Sequence, residues 1–208
     1  LPSNISRLGS GSASRSVLGP YALWGRFDGF ENSTNDYAVR YPYVHETFLD
    51  LHDTIIVVDK EPKKISSRDG HSLMEGNPYR QARIFQANKN LETLLYALKE
   101  GNWEKFQHVT ESEALSLHAL MMSSEGGMLL LKGGTVDWIH YIRNKREETG
   151  LPMAFTMDAG ANIHLLYPAG VHEQVMGILE ESPVPSIDFI QDSTGKGPEK
   201  MIDEYEEI

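Results

Sequence analysis

The chain contains no cysteine. Disulfide scaffolds and thiolate metal sites are thereby excluded, and the composition fits a reducing compartment. Long apolar runs are also missing. Stretches such as Met128-Leu129-Leu130-Leu131 are far shorter than the ~20 residues a bilayer-spanning helix needs. Positive charge is scarce: 19 Lys and Arg stand against 30 Asp and Glu, a formal net charge of −11. That balance argues against a nucleic-acid-binding face. It leaves room for a small polyanion held by a local pocket of Arg, Lys and backbone N–H groups. No secretory signal is visible. Neither nucleic acid nor a membrane is therefore an expected partner, and the cytoplasm is the expected location. The sequence starts at Leu1 without an initiator methionine. We read this as a truncation, with any targeting information lying upstream.

Several chemical signatures are absent as well. No two histidines have metal-ligand spacing on one helix face, and there is no His-Glu-x-x-His pattern, so no metal ligands are expected from this chain. No Gly-x-Ser-x-Gly elbow, complete phosphate loop or dinucleotide fingerprint occurs. His118 and His140 fall in apolar helical patterns and read as partly buried structural residues. Trp24, Trp103 and Trp138 read as core or interface residues.

What is present is 208 residues, 40% of them hydrophobic, enough for one large domain or two small ones. Residues 1–20 are small and polar around a Gly/Ser-rich centre. Tyr21–Phe27 and Tyr37–Tyr41 read as strands joined by a Gly/Asn/Asp-rich turn. Thr54-Ile55-Ile56-Val57-Val58 is a β-branched run typical of a buried strand. Ile84, Ala87, Leu91, Leu94, Leu95 and Leu98 recur at helical spacing up to Gly101. Helices are expected at Trp103–Val109, Glu111–Met122, Thr135–Lys145 and His172–Glu180. Strands are expected at Pro152–Met157, Ile163–Tyr167 and Ile187–Ile190, with 191–208 a surface tail. Helices clustered between separated strands predict an α+β fold with a largely antiparallel sheet. The expected boundary divides residues 1–52 from 53–208.

Three segments have residue types suited to chemistry. In Gly9-Ser10-Gly11-Ser12 the glycines permit close backbone approach and the serines can cap a helix or bond an anion. Ser12 and Arg15, three apart, would share a helix face and could together hold a carboxylate or phosphate. A flexible capped loop is the plainer alternative. Met157-Asp158-Ala159-Gly160 sets a carboxylate at the end of an apolar strand, either aimed into a cleft or bonded to its own backbone in an Asx turn. Ser66-Ser67-Arg68-Asp69-Gly70 can bind an anion or simply cap a helix.

Taken in order, these segments resemble mevalonate diphosphate decarboxylases. Gly9-Ser10-Gly11-Ser12-Ala13-Ser14-Arg15-Ser16 is similar to that family's Gly-Ser-Gly-Ser-Ala-x-Arg-Ser signature, and Tyr21-Ala22-Leu23-Trp24 to the strand after it. Val57-Val58 through Gly70 is similar to its strand and substrate loop. Leu117-His118-Ala119-Leu120 resembles a helix with a His-Ala pair, and Phe155–Asn162 the catalytic-aspartate segment. The likeness runs from about residue 5 to about 167. There are departures: Ser14 replaces a frequent Cys, His71 a frequent Met, Ala161 a Pro, and Glu125-Gly126-Gly127 a Pro-Pro pair.

The resemblance implies a kinase-like fold of the galactokinase, homoserine kinase, mevalonate kinase and phosphomevalonate kinase (GHMP) superfamily. Residues 1–52 would end an ATP-side domain, and 53–208 would form a ferredoxin-like substrate-side domain with an antiparallel sheet covered by helices. The implied reaction is ATP-dependent decarboxylation of mevalonate 5-diphosphate to isopentenyl diphosphate. Asp158 and Arg15 would be the catalytic residues. Ser10, Ser12, Arg15, Ser67, Arg68 and His71 would bind the substrate. ATP and Mg²⁺ would be required, with the ATP loop upstream of Leu1, so the 208 residues alone are expected to be inactive. Family members are commonly homodimers, which the resemblance allows here. One alternative is a kinase of the same superfamily that phosphorylates mevalonate or its phosphate without decarboxylation. Another is a non-catalytic binding module.

Overall fold

Serine-mediated bonds organise the start of the chain. The structure is a computed structural model that describes residues 2–61 and 76–198. Helix α1 (Pro2–Gly9) and helix α2 (Gly11–Ser16) meet at Ser10, whose extended backbone and side chain N-cap α2 by accepting Ala13 N–H at 3.0 Å. The sequence reading did not anticipate α1. Its support is tertiary as well as local: Pro2 suits the first helical position. Buried Ser3 donates to Ser14 O at 2.8 Å and accepts from Ala38 N–H at 2.9 Å. Strands β1 (Ala22–Trp24) and β2 (Ala38–Arg40) form the expected hairpin, Leu23 opposite Val39. The Trp24 ring lies under Gly11 so closely that a Cβ there would fall 2.3 Å from it. Arg7 stacks on the same ring at 4.6 Å, and the indole N–H donates to Asn35 O at 3.0 Å.

Contacts group Leu1–Tyr43 with Thr194–Ile208 as one unit and Val44–Ser193 as a second. The sequence-expected boundary at 52/53 falls inside strand β3 (Leu51–Val57). In the first unit Tyr21 is half-buried beside Thr194, and desolvation pushes its hydroxyl up to about 12 despite the hydrogen bond between them.

The second unit is built on one antiparallel sheet. Strand β3 is central, flanked by β5 (Ile163–Pro168) and β6 (Asp188–Ser193), with β4 (Ala154–Thr156) beyond β5. Ile55 lies opposite His164 on one side and Ile190 on the other. Helices α3 (Arg80–Glu100), α4 (Trp103–Met122), α5 (Gly133–Thr149) and α6 (His172–Glu180) complete the α+β fold expected from sequence. The core joins Ile56, Ile163, Leu165 and Tyr167 of the sheet to Trp138 of α5 and Val175 of α6. Gly101 ends α3 with φ 71°, as its sequence position suggested.

Some elements differ from expectation. The two helices expected across 103–122 are one. No breaker interrupts them, and Glu111 at the junction is buried against Arg146 and Arg143. Only Ala154–Thr156 of the 152–157 run is paired, since Pro152 has no N–H to donate. Residues 191–193, expected in a tail, extend β6 because β3 offers them partners. His140 is exposed rather than partly buried, and Ile84 is a surface residue. Among the described residues no helix is long and apolar enough to cross a membrane.

Candidate active site

Strand β4 ends at Thr156, Met157 is buried behind it, and Asp158 emerges at the surface. Polar groups on three elements shape the turn into β5. Gly160 N–H donates to the Asp158 carbonyl at 2.7 Å. The same carbonyl accepts from Nε2 of His118 on α4, 3.1 Å away. Thr135, buried near the start of α5, donates its hydroxyl to Ala161 O at 2.7 Å and accepts Lys132 N–H at 3.2 Å. Asn162 Oδ1 accepts from Val58 N–H and Asp59 N–H at 2.9 and 3.0 Å, joining the start of β5 to the end of β3. Main-chain groups that a tight turn would strand are thus paired.

These bonds answer the question the sequence left open at Asp158. The turn closes through its carbonyl, not its carboxylate. The carboxylate has no hydrogen-bond partner among the described residues. His118 is only 1% exposed. Burial lowers its imidazole from the ordinary 6.5, outweighing the opposing effect of the hydrogen bond to Asp158. A neutral ring with its proton on Nε2 fits that bond.

Beside Asp158 lies a cavity of about 830 Å³. Its sheet-side lining includes Ile55, His164 and Ile190, which alternate with the core-facing Ile56, Ile163 and Leu165. Lys60 and Lys132 also line it, paired with Asp188 at 3.4 Å and Asp59 at 3.5 Å. Apolar Met128, Leu129 and Leu130 stand with them, so the cavity offers both charge and hydrocarbon.

The remaining candidate residues are distributed as follows. Ser10 caps α2, and its hydroxyl lies 3.2 Å from that of Ser12. Ser12 and Arg15 occupy α2 three residues apart, both exposed. All three belong to the first unit and Asp158 to the second. Ser67, Arg68 and His71 lie outside the described residues. Sequence reasoning passed over Asn162, Thr135 and the Asp53–His164 pair. Asn162 was in view within the aspartate segment, but its role depends on β3, over a hundred residues earlier.

Comparison with known proteins adds the decisive observation. Residues 54–207 match the family model described as the mevalonate 5-diphosphate decarboxylase C-terminal domain. The chain belongs to that family. A phosphomevalonate decarboxylase from Haloferax volcanii is 27% identical over 208 residues, covering 99% of this chain and 60% of the relative. The crystal structure of mevalonate diphosphate decarboxylase from Staphylococcus aureus superposes with a TM-score of 0.81 at 27% identity, covering 93% of this chain and 57% of that one. MDDEF in complex with MVAPP, AMPPCP and magnesium gives 0.80 at 25% identity, covering 95% and 59%. The chain therefore spans about 60% of the length of these relatives. The match to the decarboxylase C-terminal domain continues well past residue 167, where the recognisable sequence motifs ended.

Proposed function

We propose that this chain supplies the substrate-side residues for ATP-dependent decarboxylation of mevalonate 5-diphosphate to isopentenyl diphosphate, a step of isoprenoid biosynthesis in the cytoplasm. The observation that carries this reading is an open Asp158 carboxylate on a cavity wall, on a main chain bonded to His118 and Gly160. A base must be within hydrogen-bond reach of the proton it takes, and a rigid support keeps it there.

In this scheme Asp158 accepts the proton of the substrate's tertiary hydroxyl as that oxygen attacks the γ-phosphoryl group of ATP. ADP leaves. The bond to the carboxylate then breaks, its electron pair forms the alkene, and phosphate departs with the carbon–oxygen pair while carbon dioxide is released. Arg15 holds the substrate carboxylate in its two-donor fork. Ser10 and Ser12 contact the same ligand, and Ser67, Arg68 and His71 take the diphosphate end.

Among the described residues no three His, Asp or Glu side chains gather as a metal cage. Mg²⁺ would accompany ATP and would supply charge neutralisation at the transferring group.

A second reading concerns the substrate alone. One relative, aligned over 99% of this chain, is a phosphomevalonate decarboxylase, which favours mevalonate 5-phosphate, whereas a diphosphomevalonate decarboxylase from Candida albicans aligns over 95%. Product analysis of the complete protein with ATP and each substrate tests both readings. Carbon dioxide with isopentenyl diphosphate supports the first and carbon dioxide with isopentenyl phosphate the second. A stable phosphorylated mevalonate would mean a kinase instead.

A further inference from the structure

One side-chain donor on the cavity wall is fixed in direction and spent on nothing in the protein. Asn162 lines the cavity that Asp158 also lines, just before the fully buried Ile163. Its Oδ1 accepts two main-chain N–H groups, from Val58 at 2.9 Å and Asp59 at 3.0 Å. Only the oxygen of the carboxamide can accept from both, so the group has one orientation and Nδ2 is its opposite arm. Among the described residues Nδ2 has no acceptor, and it is not an enclosed atom. An amide nitrogen with two N–H donors is thereby left open at the cavity wall.

The support of this donor is stiff at both ends. On the β3 side the two main-chain N–H groups grip its oxygen. On the β5 side the turn is braced at its carbonyls, Asp158 O by Gly160 N–H and His118 Nε2, and Ala161 O by the Thr135 hydroxyl. The open carboxylate of Asp158 and the open amide of Asn162 therefore stand at the two ends of one braced turn. The lysines that line the cavity are different. Lys60 and Lys132 are exposed on long flexible stems and are paired with Asp188 and Asp59. They bring charge without fixing the position of a ligand atom, whereas Asn162 brings a fixed donor without charge. A donor held in place before the ligand arrives loses little freedom on binding.

We propose that Asn162 is a substrate-binding residue whose Nδ2 donates to an anionic oxygen of the ligand whose hydroxyl meets Asp158. This rests on the proposed function for the role of Asp158 and for the identity of that ligand. The recognised class is a hydroxy compound bearing a phosphate or carboxylate a few atoms from its hydroxyl. The charge-assisted N–H···O bond favours an anion over a neutral acceptor. One carboxamide thus does two things: its oxygen ties the end of β3 to the start of β5, and its nitrogen reads the ligand.

The experiment follows the side-chain amide signal of Asn162 in the complete protein, labelled with ¹⁵N-asparagine and assigned by the signal that Asn162→Asp removes. Inorganic pyrophosphate is titrated in one arm and 3-hydroxyisovalerate, a tertiary hydroxy acid, in the other. Binding in either arm should shift the amide protons downfield and slow their exchange with water. The arm that responds identifies phosphate or carboxylate. If neither probe moves the signal, the proposal is overturned. Asn162→Asp keeps an oxygen on the Val58 and Asp59 N–H groups and replaces the donor with an acceptor. Exchange at those two main-chain amides should stay slow, while affinity for the responding anion falls at least about tenfold and KM rises by a similar factor. Unchanged affinity would make Asn162 a structural tie only and overturn the proposal. A loss of affinity without a response of the wild-type amide would be charge repulsion alone, and would overturn it too. The two readings can fail separately: an active Asp158→Asn would end the proposed mechanism without touching the Asn162 signal, and the wild-type titration stands even where a variant fails to fold.

Discussion

Nε2 of His118 lies 3.1 Å from the main-chain carbonyl of Asp158, the same carbonyl that accepts from Gly160. A buried helix residue thus holds the backbone of the exposed carboxylate, which explains how a surface turn keeps one geometry. His118→Ala should cost about 2–4 kcal/mol, from a lost buried side chain and a lost bond. It should also slow turnover roughly 10- to 100-fold by loosening Asp158. Urea unfolding and steady-state rates measure the two effects. Full activity in a folded His118→Ala protein would show that the bond does not position the turn.

The same residue sets a pH dependence. Burial lowers the folded imidazole below its ordinary 6.5, so the unfolded chain binds the proton more readily. The His118 contribution is therefore complete above about 6.5 and declines as pH falls from there through the folded value. Wild-type protein should lose more stability between pH 7.5 and 5.5 than His118→Gln does. Equal losses in parallel urea titrations would assign the acid sensitivity to other groups.

Asp158→Asn keeps the shape of the side chain and removes the base. Because the carboxylate is exposed and the turn is closed by main chain, stability should change by less than about 0.5 kcal/mol. The rate should fall by at least ~10², with substrate affinity little altered. Stopped-time product assays and calorimetric binding separate the two quantities.

Asn162 accepts two main-chain N–H groups with one oxygen. Asn162→Leu removes both bonds and should destabilise the fold by about 2 kcal/mol. Amide exchange at Val58 and Asp59 should quicken in the same variant, more than at core Ile56. Unchanged exchange at those two amides would mean that water replaces the side chain without loss.

Arg15 and Arg68 are assigned to opposite ends of the substrate. Arg68→Ala should weaken mevalonate 5-diphosphate roughly ten- to a hundredfold more than mevalonate 5-phosphate, since only the former carries the terminal phosphate. Arg15→Ala should weaken both alike, and Arg15→Lys should also be harmful because a point charge does not replace a planar fork. Binding of both compounds to each variant decides, and an intact diphosphate preference in Arg68→Ala would make that loop a helix cap.

The strands and long helices are legible where periodicity is strong: all but the last residue of Thr54–Val58 lies in β3, and His172–Glu180 is α6. The aspartate segment was legible as a strand end next to a Gly turn. What escaped depended on partners distant in sequence. α1 is anchored through Ser3 to Ser14 and Ala38, and nothing local announces those bonds. Asp53 and His164 are 111 residues apart and meet only through the β3–β5 register. Whether Asp158 spent its carboxylate on its own turn also required geometry, because either choice uses the same residues.

The packing of Trp24 beneath α2 has an optical consequence. Trp24 is the sole tryptophan among residues 1–43 and 194–208, while Trp103, stacked on Phe48, and Trp138, fully enclosed, belong to 44–193. Trp24→Phe would leave an emission spectrum that reports only the sheet-bearing unit, and the difference from wild type would follow the Gly/Ser helix by itself. With Arg7 over its ring and Gly11 against its edge, that indole gives the helix carrying Ser10, Ser12 and Arg15 a native fluorophore.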